Sequence, residues 1–237
     1  MAFKHGKNTK VFINNNDYSA YFNNADTTRT ADVAESTTFG KSSKTYISGN
    51  KDGTVSLGGF FDATADSTLQ GLVGGADFVF VMGIDGVDAT DNCVFGNSNI
   101  TSYGVSSPVG DIVATSIDVQ ADSGLYSGSV LENANYTATA SGTARDNGAS
   151  TGNGGGAFIL VTSASGTTPT LDAKITHSAD DVTYADLVTF SQFTTSAGAE
   201  FKSVAKGTTI NRYLKVEITI AGTSPDYNVI IGLGRNN

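Results

Sequence analysis

Hydrophobic residues recur at every second position in several short runs of this chain. Val55 and Leu57 point to one face of such a run, while the Thr and Ser residues beside them point to the other. A clear alternation also covers residues 214–220, where every second side chain is aliphatic. Residues 78–82 are apolar throughout, which predicts a strand that is buried on both faces or lies at an interface. The pattern therefore predicts a mainly β protein.

Clusters of Gly, Asn, Asp and Ser separate these runs, because such residues accept the backbone angles of tight turns. Asp52-Gly53, at the end of a cluster over residues 48–53, predicts a hairpin turn. The Gly-, Ser- and Asn-rich residues 143–156 predict either a linker or a long loop. The predicted strands cover residues 10–13, 27–33, 54–61, 78–82, 93–96, 99–105, 111–120 (as one strand or as two), 157–162, 170–177, 187–190, 201–204, 213–221 and 227–233.

One short helix is predicted over residues 68–73, whose Leu and Val residues fall at helical spacing. Asp66 or Ser67 can accept hydrogen bonds from the free amides at its start, and Gly74-Gly75 can stop it. A helix of this length is stable only when it docks on a sheet.

The composition favours strands with many turns. The chain has 237 residues, with 28 Gly, only 3 Pro and no Trp, and it lacks long runs of helix-forming residues. A chain of this length suits two domains of ordinary size. We place the predicted boundary near residue 127, which gives one domain over residues 1–126 and another over residues 127–237.

Charge and cysteine content exclude several classes of function. The net charge of −9 should repel free duplex DNA, which argues against a protein that recognises nucleic acid. Cys93 is the only cysteine, so an intrachain disulfide and a thiolate zinc site are excluded. Residues 1–7 have no apolar core and predict no secretory signal, and no stretch is apolar enough to cross a membrane. Synthesis in a cytoplasm is therefore expected.

No constellation of residues predicts catalysis, so we expect no enzyme and no cofactor. His177 lies beside Ser178 and near Asp180, but neighbours at one strand end rarely converge as a catalytic triad. A turn histidine that pairs with nearby carboxylates is the simpler prediction. The glycine-rich residues 152–156 precede a predicted strand, not the helix that a phosphate-binding loop needs.

Three aspartates with a regular spacing are the remaining candidates for a metal site. Asp85, Asp88 and Asp91 follow one another at intervals of three residues. A calcium loop places acids at every second position, followed by a glycine and a distant glutamate. No metal site is therefore predicted, although a loose calcium site remains open.

The run DV…STTFGKSSKTYISGNKDGTVSLGGFFD, followed by the short helix, resembles the major tail tube proteins of long-tailed bacteriophages. The resemblance covers about residues 1–133. It implies a β-sandwich or barrel with one helix, and copies that assemble into hexameric rings stacked as a hollow tube. The implied partners are the protein itself and other tail proteins, in the virion tail. Phage DNA would pass through the lumen without sequence-specific binding.

Residues 36–45 are too polar to bury and too long for a simple turn, which predicts a loop that projects from a sandwich. The resemblance implies that this loop reaches an adjacent subunit or the ring above. The alternative is a solvated loop with one packed aromatic, Phe39. A closed ring would also cover edge strands, which otherwise promote aggregation. The predicted contact residues are Glu35, Ser36, Thr37, Thr38, Phe39, Gly40, Lys41, Ser42, Ser43 and Lys44.

The set TPTLDAKITHSADDVTYADLVTF…INRYLKVEITIAGTSPDYNVIIGLGR is similar to a β-sandwich module of phage tail and other virion proteins. It covers about residues 157–235, and its strand spacing suits a jelly-roll or immunoglobulin-like sandwich. The resemblance implies a domain that decorates the outside of the tube. An alternative is a carbohydrate-binding or adhesion module that uses Tyr184 or Tyr227 as a sugar platform. Capsid decoration is a further alternative.

Overall fold

The structure is a computed structural model that describes residues 4–236. The prediction that residues 1–7 form no secretory signal falls partly on residues 1–3, which lie outside the described residues. The described chain is mainly β, with 63% strand and 6% helix, which confirms the predicted fold class. The strands are β1 (Lys10–Ile13), β2 (Asn16–Asp17), β3 (Phe22–Glu35), β4 (Tyr46–Phe60), β5 (Phe78–Gly83), β6 (Asn92–Ser106), β7 (Ala114–Tyr136), β8 (Ala140–Ser141), β9 (Arg145–Asp146), β10 (Gly155–Ser178), β11 (Ala185–Thr189), β12 (Gly198–Val204) and β13 (Tyr213–Arg235).

The residues group into two compact units, and each unit is built from more than one segment of the chain. The larger unit comprises the described residues up to Ser19, then Phe78–Gly96, then the chain from Tyr126 onward. The smaller unit comprises Ala20–Asp77 and Asn97–Leu125. The division into a domain over residues 1–126 and another over residues 127–237 stays a prediction. The two compact units group residues by their contacts, which does not test whether either predicted domain folds independently.

The larger unit is built on β10 and β13, which pair antiparallel from Gly155 opposite Arg235 to Ser178 opposite Tyr213. β-Bulges interrupt the ladder between residues 161 and 170, and a bulge lets a long strand bend without ending. β12 pairs with the first part of β10 and β11 with its last part. β13 also pairs with the end of β7.

Residues 157–161 of β10 are buried on both faces of the strand, which explains why they form an unbroken apolar run. Successive side chains enter two different clusters of buried residues. Ala157, Ile159 and Val161 belong to one cluster, and Phe158 and Leu160 belong to the other. The core of the larger unit therefore lies on both sides of β10.

The long strands correct the predicted strand breaks. The runs predicted at 157–162 and 170–177 are one strand, β10, and those at 213–221 and 227–233 are one strand, β13. The runs at 93–96 and 99–105 likewise form β6. The polar residues between these runs stay in the strands because a partner strand continues the hydrogen bonding and bulges absorb the irregularities.

In the smaller unit, β3 and β4 form an antiparallel hairpin, and β4 also pairs with β7 over residues 54–60. Val55 and Leu57 on β4 are buried, as are Ile117 and Val119 on β7, so the predicted alternation of β4 is confirmed. Between them the exposed residues point to the opposite face. The core of this unit therefore lies on one face of the sheet.

The turn predicted over residues 48–53 is wrong, because these residues lie inside β4. Asp52 stands opposite Thr30 and Gly53 opposite Arg29 in the ladder with β3. A Cβ atom on Gly53 would lie 2.7 Å from the side chain of Leu125. Packing against Leu125 therefore explains this glycine, and a tight turn does not.

The predicted helix exists but begins earlier than the sequence indicates. α1 covers Ala63–Leu69, and a 3-10 turn follows at Gln70–Leu72. The predicted caps Asp66 and Ser67 are wrong, since the Asp62 carboxylate accepts the amides of Thr64 at 2.9 Å and Ala65 at 3.1 Å. Among the described residues, no helix is long and apolar enough to cross a membrane.

Candidate functional site

The part of the β3–β4 hairpin beyond the reach of β7 forms a two-stranded ribbon. Because β7 pairs with β4 only over residues 54–60, residues 46–53 pair with β3 alone. Every residue from 28 to 52 is exposed except Thr37, which is half-buried. We call residues 28–52 the ribbon. Two-stranded hairpins are at best marginally stable in water, so this exposure is unusual for a stable element.

Apolar side chains are exposed on both faces of the ribbon. Val33, Tyr46 and Ile47 are 55–63% exposed. Glu35 stands opposite Tyr46 and Ala34 opposite Ile47, so alternation places Val33 and Tyr46 on one face and Ile47 on the other. Large apolar side chains that stay exposed on one element make that element a candidate contact surface.

These apolar residues are the part of the site that sequence reasoning missed. The sequence places polar residues such as Thr, Asp and Ser between Val33, Tyr46 and Ile47. No face of the ribbon therefore shows the regular apolar alternation that predicts a contact surface. The signal that could have indicated an exposed hairpin was the length of the polar segments that form β3 and β4. These strands have 14 and 15 residues, which is longer than most strands in globular proteins.

The loop predicted over residues 36–45 is present and joins the two strands of the ribbon. The Ser36 amide donates to the Thr45 carbonyl at 2.8 Å, and the Thr45 amide donates to Thr37 Oγ1 at 3.0 Å. Lys44 pairs with Glu35 at 2.9 Å, and this hydrogen bond lowers the pKa of Glu35 below its ordinary value. Backbone and side-chain contacts therefore join the two ends of the loop at its base.

Phe39 lies at the tip of the loop and is fully exposed. The alternative in which this aromatic packs within its own chain is therefore wrong for these residues. Gly40 follows with a φ of +84°, a conformation that non-glycine residues rarely adopt. The tip presents an aromatic ring and the Lys41 side chain to the outside of the chain.

The outer edge of β3 is also open. Among residues 4–236, β3 pairs with β4 and with no other strand. The backbone N–H and C=O groups on the other side of β3 therefore point away from the hairpin. No strand within residues 4–236 forms hydrogen bonds with them. Long exposed edges are templates for pairing with another chain, and proteins that keep them cover them in an assembly.

His177 has a structural environment that differs from the predicted one. It lies in β10, and its Nδ1 accepts the backbone amide of Asn211 at 3.2 Å. Burial lowers its pKa. The prediction of a turn residue that pairs with carboxylates is wrong, because Ser178 Oγ and not His177 donates to Asp180, at 2.8 Å.

The two tyrosines considered as sugar platforms are placed differently. Tyr227 is completely buried, and its hydroxyl donates to the Thr194 carbonyl at 2.9 Å, so the prediction of an exposed platform is wrong there. Tyr184 is half-buried. The Lys215 ammonium lies 4.3 Å from the centre of its ring, and its hydroxyl donates to Asp181, so one ring face is already occupied.

The three regularly spaced aspartates make contacts within their own chain. Asp85 pairs with Lys4, which lowers the pKa of Asp85. Asp91 Oδ2 accepts the backbone amide of Asp88 at 2.9 Å. In the part of the chain that the structure describes, no group of three or more His, Cys, Asp or Glu side chains is placed to hold a metal ion.

One carboxylate predicts a specific dependence of stability on pH. Asp180 accepts the amides of Thr183 and Val182 at 3.0 Å and the hydroxyl of Ser178, which lowers its pKa from 3.8 to about 2. Because the pKa of Asp180 is lower in the folded chain than in the unfolded chain, its ionised carboxylate stabilises the fold at any pH above the unfolded-state pKa. This stabilisation is lost as the pH falls from about 4 towards 2. The melting temperature of the chain should therefore fall in that window.

The matched variant is Asp180→Asn, which keeps an oxygen acceptor for the amides but does not titrate there. We expect its melting temperature to fall less than that of the unsubstituted chain between pH 4 and pH 2, measured by circular dichroism. Equal losses in the two proteins would contradict this assignment.

Comparison with known proteins gives likenesses of fold alone. No family model matches the chain, and no curated protein matches it. Solved structures that it resembles include a virion chain, a tail tube chain and a hub protein, each at 15% identity or less.

The chain is similar to one in the virion of a native gene transfer agent particle, with a TM-score of 0.45 and 15% identity over 52% of this chain and 97% of that one. It is similar to the SPP1 tail tube, with a TM-score of 0.43 and 13% identity over 55% of this chain and 81% of that one. It is also similar to the SPP1 Dit protein of a hub adsorption apparatus, with a TM-score of 0.38 and 10% identity over 97% of this chain and 99% of that one.

Proposed function

We propose that the protein is a structural subunit of a phage-type tail tube. Copies of the chain form rings, most simply hexamers, and the rings stack into a channel through which DNA passes. The observation that carries the proposal is the exposed ribbon with its open β3 edge. The sequence resemblance of residues 1–133 to tail tube proteins supports the same function.

The ribbon buries too little surface to hold its conformation without a partner. Fixing the backbone costs roughly 1–2 kcal/mol per residue, and the ribbon buries almost nothing to offset that cost. A neighbouring copy that covers Val33, Tyr46 and Ile47 supplies the missing burial, at about 1.5–3 kcal/mol for each side chain that becomes fully buried. The ribbon is therefore ordered by assembly.

The open edge of β3 also requires a partner. Strand pairing or covering by a second copy satisfies its outward N–H and C=O groups. When each copy treats its neighbour in the same way, the contact is head-to-tail, and such contacts close into rings or extend into filaments. Both geometries occur in a tube of stacked rings.

The remaining assignments follow from this function. The loop residues 35–44 contact an adjacent copy or the ring above, and other tail proteins bind the ends of the tube. The net charge of −9 suits a channel that DNA crosses without adhering. Residues 127–237 form a domain that decorates the outside of the tube.

Imaging of the purified 237-residue chain tests the proposal. We expect sedimentation velocity to show a concentration-dependent species much larger than the 24.4 kDa monomer, and negative-stain images to show rings or tubes. A chain that remains monomeric in both measurements at the highest attainable concentration would overturn the proposed function.

A further inference from the structure

We infer that the ribbon of one copy docks on the opposite end of the smaller unit of the next copy, and that charge attraction sets the direction of this contact. We call this opposite end the acceptor end. The inference rests on the proposed function, because it names the surface that receives the ribbon.

Three strands and the start of the helix segment meet at the acceptor end. β4 ends at Phe60, which stands opposite Ala114, the first residue of β7. The Phe61 amide then donates to the Val113 carbonyl at 2.9 Å. Thr115 Oγ1 donates to the Gly104 carbonyl near the end of β6, at 3.2 Å. Hydrogen bonds therefore place the ends of β4 and β6 beside the beginning of β7.

The acceptor end presents a second group of exposed apolar side chains in the smaller unit. Their exposed fractions lie between 38% and 107%, which is unusual for so many large apolar residues at one end of a unit. The residues are Phe60, Phe61, Val105, Val109 and Ile112.

The basic residues of the smaller unit are concentrated in one part of it, and its acidic residues are not. All its basic residues lie in the ribbon, and no Lys, Arg or His occurs between Lys51 and Arg145. The charged residues of the acceptor end are all acidic, and they include Asp62, Asp66 and Asp111. The ribbon has four basic residues, Arg29, Lys41, Lys44 and Lys51, and three acidic ones, Asp32, Glu35 and Asp52, so basic residues are in excess there.

Most of these ribbon cations are free for a partner. Lys44 pairs with Glu35, but Arg29, Lys41 and Lys51 form no ion pair with any of residues 4–236. Asp111 at the other end is exposed, accepts the amide of Ile112 at 2.7 Å, and forms no ion pair within residues 4–236. The ribbon thus combines exposed apolar side chains with an excess of basic residues, and the acceptor end combines them with acidic residues alone.

The two surfaces cannot meet within one copy. β4 runs from Tyr46 in the ribbon to Phe60 at the acceptor end, and at about 3.3 Å per residue its ends are roughly 45–50 Å apart. The ribbon must therefore meet the acceptor end of a different copy. Opposite charge favours this head-to-tail arrangement over contacts between two ribbons or two acceptor ends.

Charge reversal tests the direction of the contact. The ribbon variant carries Lys41→Glu and Lys51→Glu, and the acceptor variant carries Asp111→Lys. The concentration needed for assembly, measured by light scattering and sedimentation, should rise at least about tenfold in each variant alone. The control is Asp88→Lys, the same change at an exposed residue of the larger unit, and it should assemble like the unsubstituted chain.

Mixing the two variants distinguishes the inference from general loss of assembly. In the mixture, the acidic side chains introduced in one ribbon meet the cation introduced at position 111 of the other variant, so assembly should return close to the concentration of the unsubstituted protein. If the unsubstituted chain forms tubes and the variants do so equally well, or if mixing restores nothing, the inference is overturned and the proposed function stands. If the unsubstituted chain never assembles, the proposed function itself falls.

Discussion

Replacing the three exposed apolar residues of the ribbon, as Val33→Thr, Tyr46→Thr and Ile47→Thr, should abolish assembly and leave a folded monomer. Threonine keeps the preference for β structure and removes most of the apolar surface. In the monomer these side chains are 55–63% exposed, so their loss should change the free energy of unfolding by no more than about 0.5 kcal/mol each.

The expected effect on assembly is much larger. Complete burial of a fully exposed apolar side chain contributes about 1.5–3 kcal/mol, and these side chains can still gain somewhat more than half of that because they are 55–63% exposed. A change of about 1.4 kcal/mol corresponds to a tenfold change in affinity. The three changes together should raise the concentration needed for assembly by several orders of magnitude. Sedimentation velocity and negative-stain images on the same samples measure this.

Val182→Thr is the matched control, because Val182 is 80% exposed but lies in a turn of the larger unit, away from the ribbon in sequence. It should assemble like the unsubstituted protein. Rings that form in the triple variant at the usual concentration would show that the ribbon faces are not the contact surface.

Phe95→Ala should be the most damaging single change to the stability of the larger unit. Phe95 is fully buried, and its ring centre lies 4.7 Å from that of Phe158, 5.9 Å from Tyr126 and 6.4 Å from Phe201. Truncation removes these contacts and leaves a cavity among side chains that β7, β10 and β12 hold in place. Such changes cost about 3–5 kcal/mol.

Urea unfolding followed by circular dichroism measures this loss. Phe39→Ala removes the same atoms from the fully exposed loop tip, so it should leave the unfolding midpoint of the monomer unchanged. A loss below about 1 kcal/mol for Phe95→Ala would contradict the packing described for this cluster.

Patterns within a few residues predicted the elements that depend on local geometry. The alternation of Val55 and Leu57 and the apolar run of β5 gave strands with the correct faces, because side chains in a strand alternate whatever lies beside it. The polar residues 36–45 gave a loop for a similarly local reason. The helix was found but misplaced, because Asp62 caps it in preference to Asp66.

The errors arise where a distant segment decides the outcome. Residues 48–53 have the composition of a turn, but Thr30 and its neighbours on β3 hold them in a ladder, and Leu125 covers Gly53. Tyr227 looks like a surface aromatic by sequence, yet the packing of β10 and β13 buries it. Neither contact has a signature within the segment itself.

The candidate site divides in the same way. The loop with Phe39, Lys41 and Lys44 could be proposed from its polarity and from the resemblance to tail tube proteins. The open edge of β3 and the exposed faces of the ribbon could not, because exposure depends on where β7 stops pairing with β4, at residue 54.

The sequence alone therefore determined that this chain is a β protein with one short helix, a projecting polar loop and an acidic surface, since alternation, turn residues and charge are properties of short segments. Only the tertiary structure decided which strands continue through bulges, which aromatics are buried and which apolar side chains remain exposed. Those outcomes depend on hydrogen bonding and packing between residues far apart in the chain, and neither spacing nor composition encodes such contacts locally.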